Sequence, residues 1–334
     1  MNLDVFLSLF SLMLISLAVF ILAKKLRMPY TVLLVVCGSI LVPISKIDVF
    51  SFITSFQLTP ELLFFVFLPI LIFESAYNMS VRSITENIYS IGLLAVVGLI
   101  VSTLFVGVAG YYVFKLAGFE VPMLALLLFG AIISSTDPVA VLALFKEYGA
   151  PRRLTLIFEG ESLFNDATGF AAFLVILDLL QHGYNGADSA ITALISFFTM
   201  LFAEVISEHL IIYGHEIRLS SIIATLTASM VIGNYGRYKM SPSVEEYMEK
   251  FWSYFGFLAN SLVFILMGLL FVNLSIRLDV AKWYILLAIA VVVVGRAVSV
   301  YPLLWLLNKT GKEEPIPASW MSLLSWGSLR GRWL

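Results

Sequence analysis

Residues 123–141 read MLALLLFGAIISSTDPVAV. The stretch is the middle of an apolar run of about 121–146, and it meets three hydroxyl side chains, a carboxylate and a proline half-way along. Pro138 has no N–H, and its ring clashes with the carbonyl four residues back. The residue before a proline avoids the α region. The spacing therefore predicts a helix that opens at Asp137. Freed carbonyls, the Thr136 hydroxyl and the Asp137 carboxylate then converge at one depth. Irregular backbone inside a membrane persists only where it is buried in protein or lines a cavity. A plain proline kink with a capped aspartate is the alternative.

The rest of the chain supplies the membrane. Of 334 residues, 60% are hydrophobic and 13% charged, against roughly 45–50% and about 25% in soluble domains. This excludes a soluble enzyme, a disordered protein and a nucleic-acid binder. Twenty basic against 22 acidic residues leave no polybasic footprint for nucleic acid, so the expected partner is the lipid bilayer. The single cysteine, Cys37, has no intrachain partner. Apolar runs fall at about 3–23, 30–45, 61–77, 88–116, 121–146, 155–181, 190–213, 219–235, 251–274, 281–307 and 318–334. They are too continuous for barrel strands, so the fold class is an all-α polytopic membrane protein with about 11 spans. The first run carries no basic residue ahead of it, unlike a cleaved signal peptide. The last, with Arg330 and Arg332 inside it, looks cut short.

Loop charges give an orientation. Over the first six loops one side holds Lys24, Lys25, Arg27, Arg82, Lys146, Arg152 and Arg153, and the other only Lys46 and Lys115. The first side is read as cytoplasmic, with the N-terminus outside. Counted straight through, the second half inverts: Arg218, Arg277 and Lys282 fall inside, and Arg237, Lys239, Lys250, Lys309 and Lys312 outside. One more span would restore the bias. The run 190–213 carries Glu204, Glu208 and His209 in its second half, and a helix is read as missing near 196–204. Noise in juxtamembrane charges is the alternative.

Ionisable groups at mid-membrane are functional by default. Glu161, Ser162, Asn165 and Asp166 fall at i, i+1, i+4 and i+5 and form one polar stripe on a helix. The stripe faces a cavity or bundle interior, or makes a structural hydrogen-bond network between helices. Arg296 cannot discharge by losing a proton, and the best buried partner for it is Glu161. Arg330 lies between Gly327 and Gly331, a second candidate helix break. Paired broken helices in two halves mark the midplane site of secondary transporters. Repeat mates must run antiparallel, and spans 5 and 11 do so only if one helix is missing between them. Rival chemistries lack their motifs: there is no Gly-x-Gly-Asp, no His-Glu-x-x-His and no repeated filter loop. His182, His209 and His215 all lie near span ends.

At these residues the sequence resembles the sodium/proton antiporters of the NhaP and NHE type. The likeness rests on Ser135-Thr136-Asp137-Pro138-Val139-Ala140-Val141, on Phe158-Glu159-Gly160-Glu161-Ser162-Leu163-Phe164-Asn165-Asp166 and on Gly327-Ser328-Leu329-Arg330-Gly331, in that order, with Ile232-Gly233-Asn234-Tyr235-Gly236 between them. The resemblance implies an inverted-repeat antiporter fold of 12–13 spans with two crossed, interrupted helices. It implies a homodimer in the plasma membrane, with core-type helices (about 88–181 and 281–334) moving against dimerisation-type helices (about 1–77 and 190–274). It implies Asp166 as the carboxylate that takes cation or proton, Thr136, Asp137 and Ser162 as further oxygens for Na⁺, and Asn165 as partner of Asp166. Glu161 and Arg296 map onto the family's ion pair, Arg330 onto the second break, and Glu74 onto a funnel carboxylate. Asn165-Asp166, in place of two aspartates, goes with electroneutral exchange of Na⁺, Li⁺ or K⁺ for H⁺, with no cofactor. Relative to the family this chain departs in the fused stretch 190–213 and in ending at the Arg330 break. A shortened, transport-inactive member of the same family is the alternative function.

Overall fold

The computed structural model describes residues 3–26, 28–136, 141–142, 145, 149–182, 210–212, 215–217, 221–273 and 278–326. The elements are α1 (Leu3–Leu26), α2 (Tyr30–Ile44), α3 (Pro60–Tyr77), α4 (Val81–Glu86), α5 (Ile88–Leu116), α6 (Met123–Ser134), α7 (Arg152–His182), α8 (Ser221–Val231), α9 (Pro242–Asn273), α10 (Leu278–Thr310) and α11 (Ala318–Trp326). Among the described residues six helices are long and apolar enough to cross a membrane: α1, α3, α5, α7, α9 and α10. The runs at 30–45 and 121–146 hold the shorter helices α2 and α6.

Helix ends follow local chemistry. Thr59 caps α3 by accepting the Leu62 amide at 3.2 Å, with Pro60 at the first helical position. Gly118 and Gly311 take positive φ just past α5 and α10, where a side chain would be strained. Three wide, π-type turns interrupt the α pattern, at Leu63–Phe67 in α3, Leu93–Gly98 in α5 and Ile232–Gly236 after α8.

Two expectations are corrected. α9 starts nine residues before its apolar run, at Pro242, because Ser241-Pro242 opens a helix whose first turns are polar (Glu245, Glu246, Glu249). The end of the run 190–213 is not helical: Leu210–Ile212 pairs antiparallel with His215–Ile217, Ile211 opposite Glu216. β-branched residues around a glycine favour a hairpin there. The rest of that run, including the helix read as missing near 196–204, lies outside the described residues.

The chain forms two compact units, residues 1–78 with 228–277, and 79–227 with 278–334. In the first, α2 crosses α9 without side chains between them. A Cβ on Gly38 would strike the Ile265 carbonyl oxygen, and one on Gly268 the Val35 carbonyl oxygen. This small-residue crossing is how helices associate where lipid offers no hydrophobic drive. Around it pack Leu12, Leu34, Phe67, Ile265 and Leu266. The Tyr30 hydroxyl meets Ser261 Oγ at 2.7 Å. Just past α8, Arg237 donates to the Tyr77 carbonyl and to Asn78 Oδ1, both at 3.2 Å. The outer face of α1, with Leu3, Leu14 and Ile21 each at least 60% exposed, suits lipid.

In the second unit, α6 lies against α5: a Cβ on Gly130 would come within 2.8 Å of the Thr103 carbonyl oxygen. Leu94, Leu154, Ile157, Val300, Leu304, Ile316 and Leu324 form the core between α5, α7, α10 and α11. One end of this unit is tied by charge. Glu313, in the α10–α11 loop, accepts the Tyr89 and Ser90 amides at 2.7 and 3.2 Å, satisfying donors at the start of α5. Arg153 donates to Asn87 Oδ1 at 2.7 Å and to the Glu314 carbonyl at 2.8 Å. The α10–α11 loop therefore shares an end with the starts of α5 and α7.

Candidate functional site

The site is built where α6 stops against α7. Ser135 is already extended (φ −69°, ψ 120°), so α6 ends at Ser134, ahead of the expected opening at Asp137 and four residues before Pro138, whose ring excludes the carbonyl of Ser134 from a continuing helix. The Thr136 carbonyl has thus left the helical ladder and needs a donor. Ser162 on α7 supplies it: Oγ donates to the Thr136 oxygen at 2.7 Å. Asn165 Nδ2 donates to Thr136 Oγ1 at 2.7 Å. Ser135 Oγ donates to Asp166 Oδ1 at 2.6 Å and lies 3.3 Å from Asn165 Oδ1. Thr136, Ser162 and Asn165 are buried, while Asp166 is partly exposed. The polar stripe of α7 and the broken end of α6 make one cluster of a carboxylate, three hydroxyls, an amide and a freed carbonyl. Oxygen donors with a single carboxylate suit a hard, singly charged cation.

Glu161 lies on the same stripe but faces other helices. Its Oε1 accepts from Arg296 Nη2 of α10, with 1% and 5% of the two side chains exposed. The same Nη2 donates to the Leu324 carbonyl in the last described turn of α11 at 3.3 Å. Arg296 thus serves a buried carboxylate and a helix carbonyl together. Its Nε is buried and has no hydrogen-bond partner among the described residues.

Four of the predicted residues, Thr136, Ser162, Asn165 and Asp166, come together, and Glu161 with Arg296 forms a second group beside them. Asp137 and Arg330 lie outside the described residues. Glu74 belongs to the other unit, where its side chain packs on Gly256 of α9, 2.9 Å from where a Cβ would sit. Sequence reasoning gave no role to Ser135, although it lies in the decisive stretch, nor to Thr168. The Thr168 hydroxyl contacts the Ala95 carbonyl at 2.8 Å and the Phe164 carbonyl at 2.6 Å. Thr168 continues the i+3, i+4 stripe from Asn165 and was legible on that ground.

Comparison with known proteins gives three results. The family described as "Sodium/hydrogen exchanger, transmembrane" matches residues 10–214 and 201–332. The Na(+)/H(+) antiporter ApNhaP of Aphanothece halophytica is 33% identical over 335 aligned positions, covering 91% of this chain and 61% of the relative. The Na(+)/H(+) antiporter NhaP of Pseudomonas aeruginosa is 34% identical over 301 positions, covering 81% of this chain and 70% of the relative. This chain therefore spans less than two thirds of the Aphanothece protein. Both alignments hold about thirty positions more than the residues of this chain they engage. Among solved structures, the sodium proton antiporter MjNhaP1 of Methanocaldococcus jannaschii superposes with a TM-score of 0.68 at 18% identity, over 97% of this chain and 82% of the other.

Proposed function

Because the chain belongs to the sodium/hydrogen exchanger family, we propose that it exchanges a monovalent cation, Na⁺ or Li⁺, for H⁺ across a membrane, with Asp166 as the shared carboxylate. The observation that carries this is the Asp166 carboxylate held at the broken end of α6 among the Ser135, Thr136 and Ser162 oxygens. A cation and a proton compete for one anionic group. The group crosses loaded with either, and the bare charge crosses poorly because burying an unpaired ion is costly. One proton for one monovalent cation makes the exchange electroneutral, and alternating access exposes Asp166 to each side in turn. The protein works as a homodimer in the plasma membrane.

The topology we infer has the N-terminus outside and a helix of the relatives lost near 196–204. The surplus of about thirty aligned positions in the relatives is the length of a span with its loop. Two contacts bear on whether the remaining run 190–213 counts as a crossing. Arg237 reaches Tyr77 and Asn78, and Arg153 reaches Glu314. A chain crossing once at every apolar run would set each of these partners on opposite sides. With that run left out of the count, twelve loop lysines and arginines share the side of Lys24 and five, Lys46, Lys115, Arg218, Arg277 and Lys282, face them, in the sense of the positive-inside rule.

The test is reconstitution in liposomes with an internal pH dye, a ΔpH, and added Na⁺, Li⁺ or K⁺. Cation-dependent dequenching that Asp166→Asn removes is the expected result. No dequenching from inserted, folded protein overturns the proposed activity for this chain.

A further inference from the structure

Resting on the reading that Asp166 is the exchanging carboxylate, we propose that Ser135 is a positioning residue of the cation site, holding that carboxylate against α6 and lending it a hydroxyl oxygen. Ser135 is the first residue past α6, and its extended backbone releases its side chain from the helical ladder. Its Oγ lies 2.6 Å from Asp166 Oδ1, the distance of a charge-assisted O–H···O⁻ bond. A hydroxyl has one hydrogen and two lone pairs. The shorter contact takes the hydrogen, so the lone pairs remain for a hard cation at the carboxylate. Asn165 is locked by its donation to Thr136 Oγ1 at 2.7 Å, which keeps its own Oδ1 turned to Ser135.

The approach is built from both helices. Gly169, one turn beyond Asp166, has no Cβ. One placed there would lie 3.2 Å from Ser135 Cβ and 3.5 Å from the Ala131 carbonyl oxygen. A side chain at 169 would press on the residue that holds the carboxylate. Among the described residues of the helices packed there, α5 between residues 90 and 114 and all of α6 contain no Asp, Glu, Lys, Arg or His. On α7 itself, Glu161 is engaged by Arg296. The Ser135 hydroxyl is therefore a polar contact that a single substitution removes without leaving a buried charge unpaired elsewhere.

The experiment is a sodium titration of the purified protein, following the melting temperature, which a ligand of the folded state raises. Ser135→Ala is expected to raise the half-saturating Na⁺ concentration roughly tenfold, the order set by losing a hydrogen bond to a charged group. Its sodium-free melting temperature falls only slightly, and Ser135→Thr restores the affinity. An unchanged half-saturating concentration in folded Ser135→Ala overturns the proposal, as does a lowered sodium-free melting temperature with unaltered sodium affinity. Asp166→Asn is run in parallel. If it abolishes the sodium response while Ser135→Ala leaves it intact, only the role of Ser135 fails. No response in the wild type, or one that Asp166→Asn keeps, overturns the reading of the site and the role of Ser135 with it.

Discussion

Replacing Arg296 by methionine tests whether the buried pair holds the fold together. Glu161 and Arg296 are 1% and 5% exposed, so neither charge has water to fall back on. Arg296→Met keeps most of the side-chain volume and leaves Glu161 buried without its cation. Breaking one partner of such a pair costs about 3–5 kcal/mol. The Leu324 carbonyl loses its donor as well, adding about 1 kcal/mol. Exchanging the whole pair for uncharged groups of like volume is close to neutral, so adding Glu161→Gln in the same chain is expected to recover about 2–3 kcal/mol of the loss. The measurement is reversible unfolding in mixed micelles with increasing SDS, followed by tryptophan fluorescence, for wild type, both single variants and the double. A single Arg296→Met variant within about 1 kcal/mol of the wild type would refute the argument. So would a double variant no more stable than Arg296→Met, because the cost would then lie in packing rather than in the stranded carboxylate.

Other outcomes follow from the same structure. Asp166→Asn is expected to insert and fold normally yet lose all cation-dependent proton flux in liposomes, and residual flux would remove Asp166 from the exchange. Gly268→Ala forces α9 away from the Val35 carbonyl and is expected to cost about 1–3 kcal/mol in the same micellar unfolding; a wild-type midpoint would mean that α2 and α9 can separate freely. Glu313→Ala strips the Tyr89 and Ser90 amides of their acceptor and is expected to cost about 1–2 kcal/mol, part of which Glu313→Gln retains, read as the order of the two midpoints.

Much of this was legible in the chain because membranes make two signals loud. Pro138 announced an end to α6, which comes at Ser134, a few residues before the proline. The stripe of Glu161, Ser162, Asn165 and Asp166 announced an inward face, since four polar groups in an apolar helix cannot face lipid. The partition of that stripe was legible only in part. Arg296 pointed to Glu161, and the pair forms, but spacing alone gives no sign that Asp166 turns to Ser135 at the end of α6, because that depends on where the helix lies. The Ser135–Asp166 bond was hidden for the same reason: a serine beside a proline break has many backbone groups to choose from. Hydropathy also measures contact with lipid rather than helical state, so the charged opening turns of α9 escaped it. The apolar end of the run 190–213 concealed a hairpin, since short apolar β-branched segments suit either state.

The wide turn at Leu93–Gly98 has a consequence for how α5 is phased. The inward positions Ser90, Leu94, Gly98, Ser102, Val106 and Gly110 are all buried and recur every four residues, a longer beat than the 3.6 of a regular α-helix. A straight α-helix carrying that beat would swing its inward face by about 40° at each step and would have to coil right-handed around its neighbours to keep contact. The widened turn holds more residues per revolution and gives back part of that rotation at one place. The rest of α5 can then run straight past α6 with Gly107 and Gly110 still facing inward. A period of four in a membrane helix is thus a rhythm that sequence alone can supply, and it marks where the backbone must loosen.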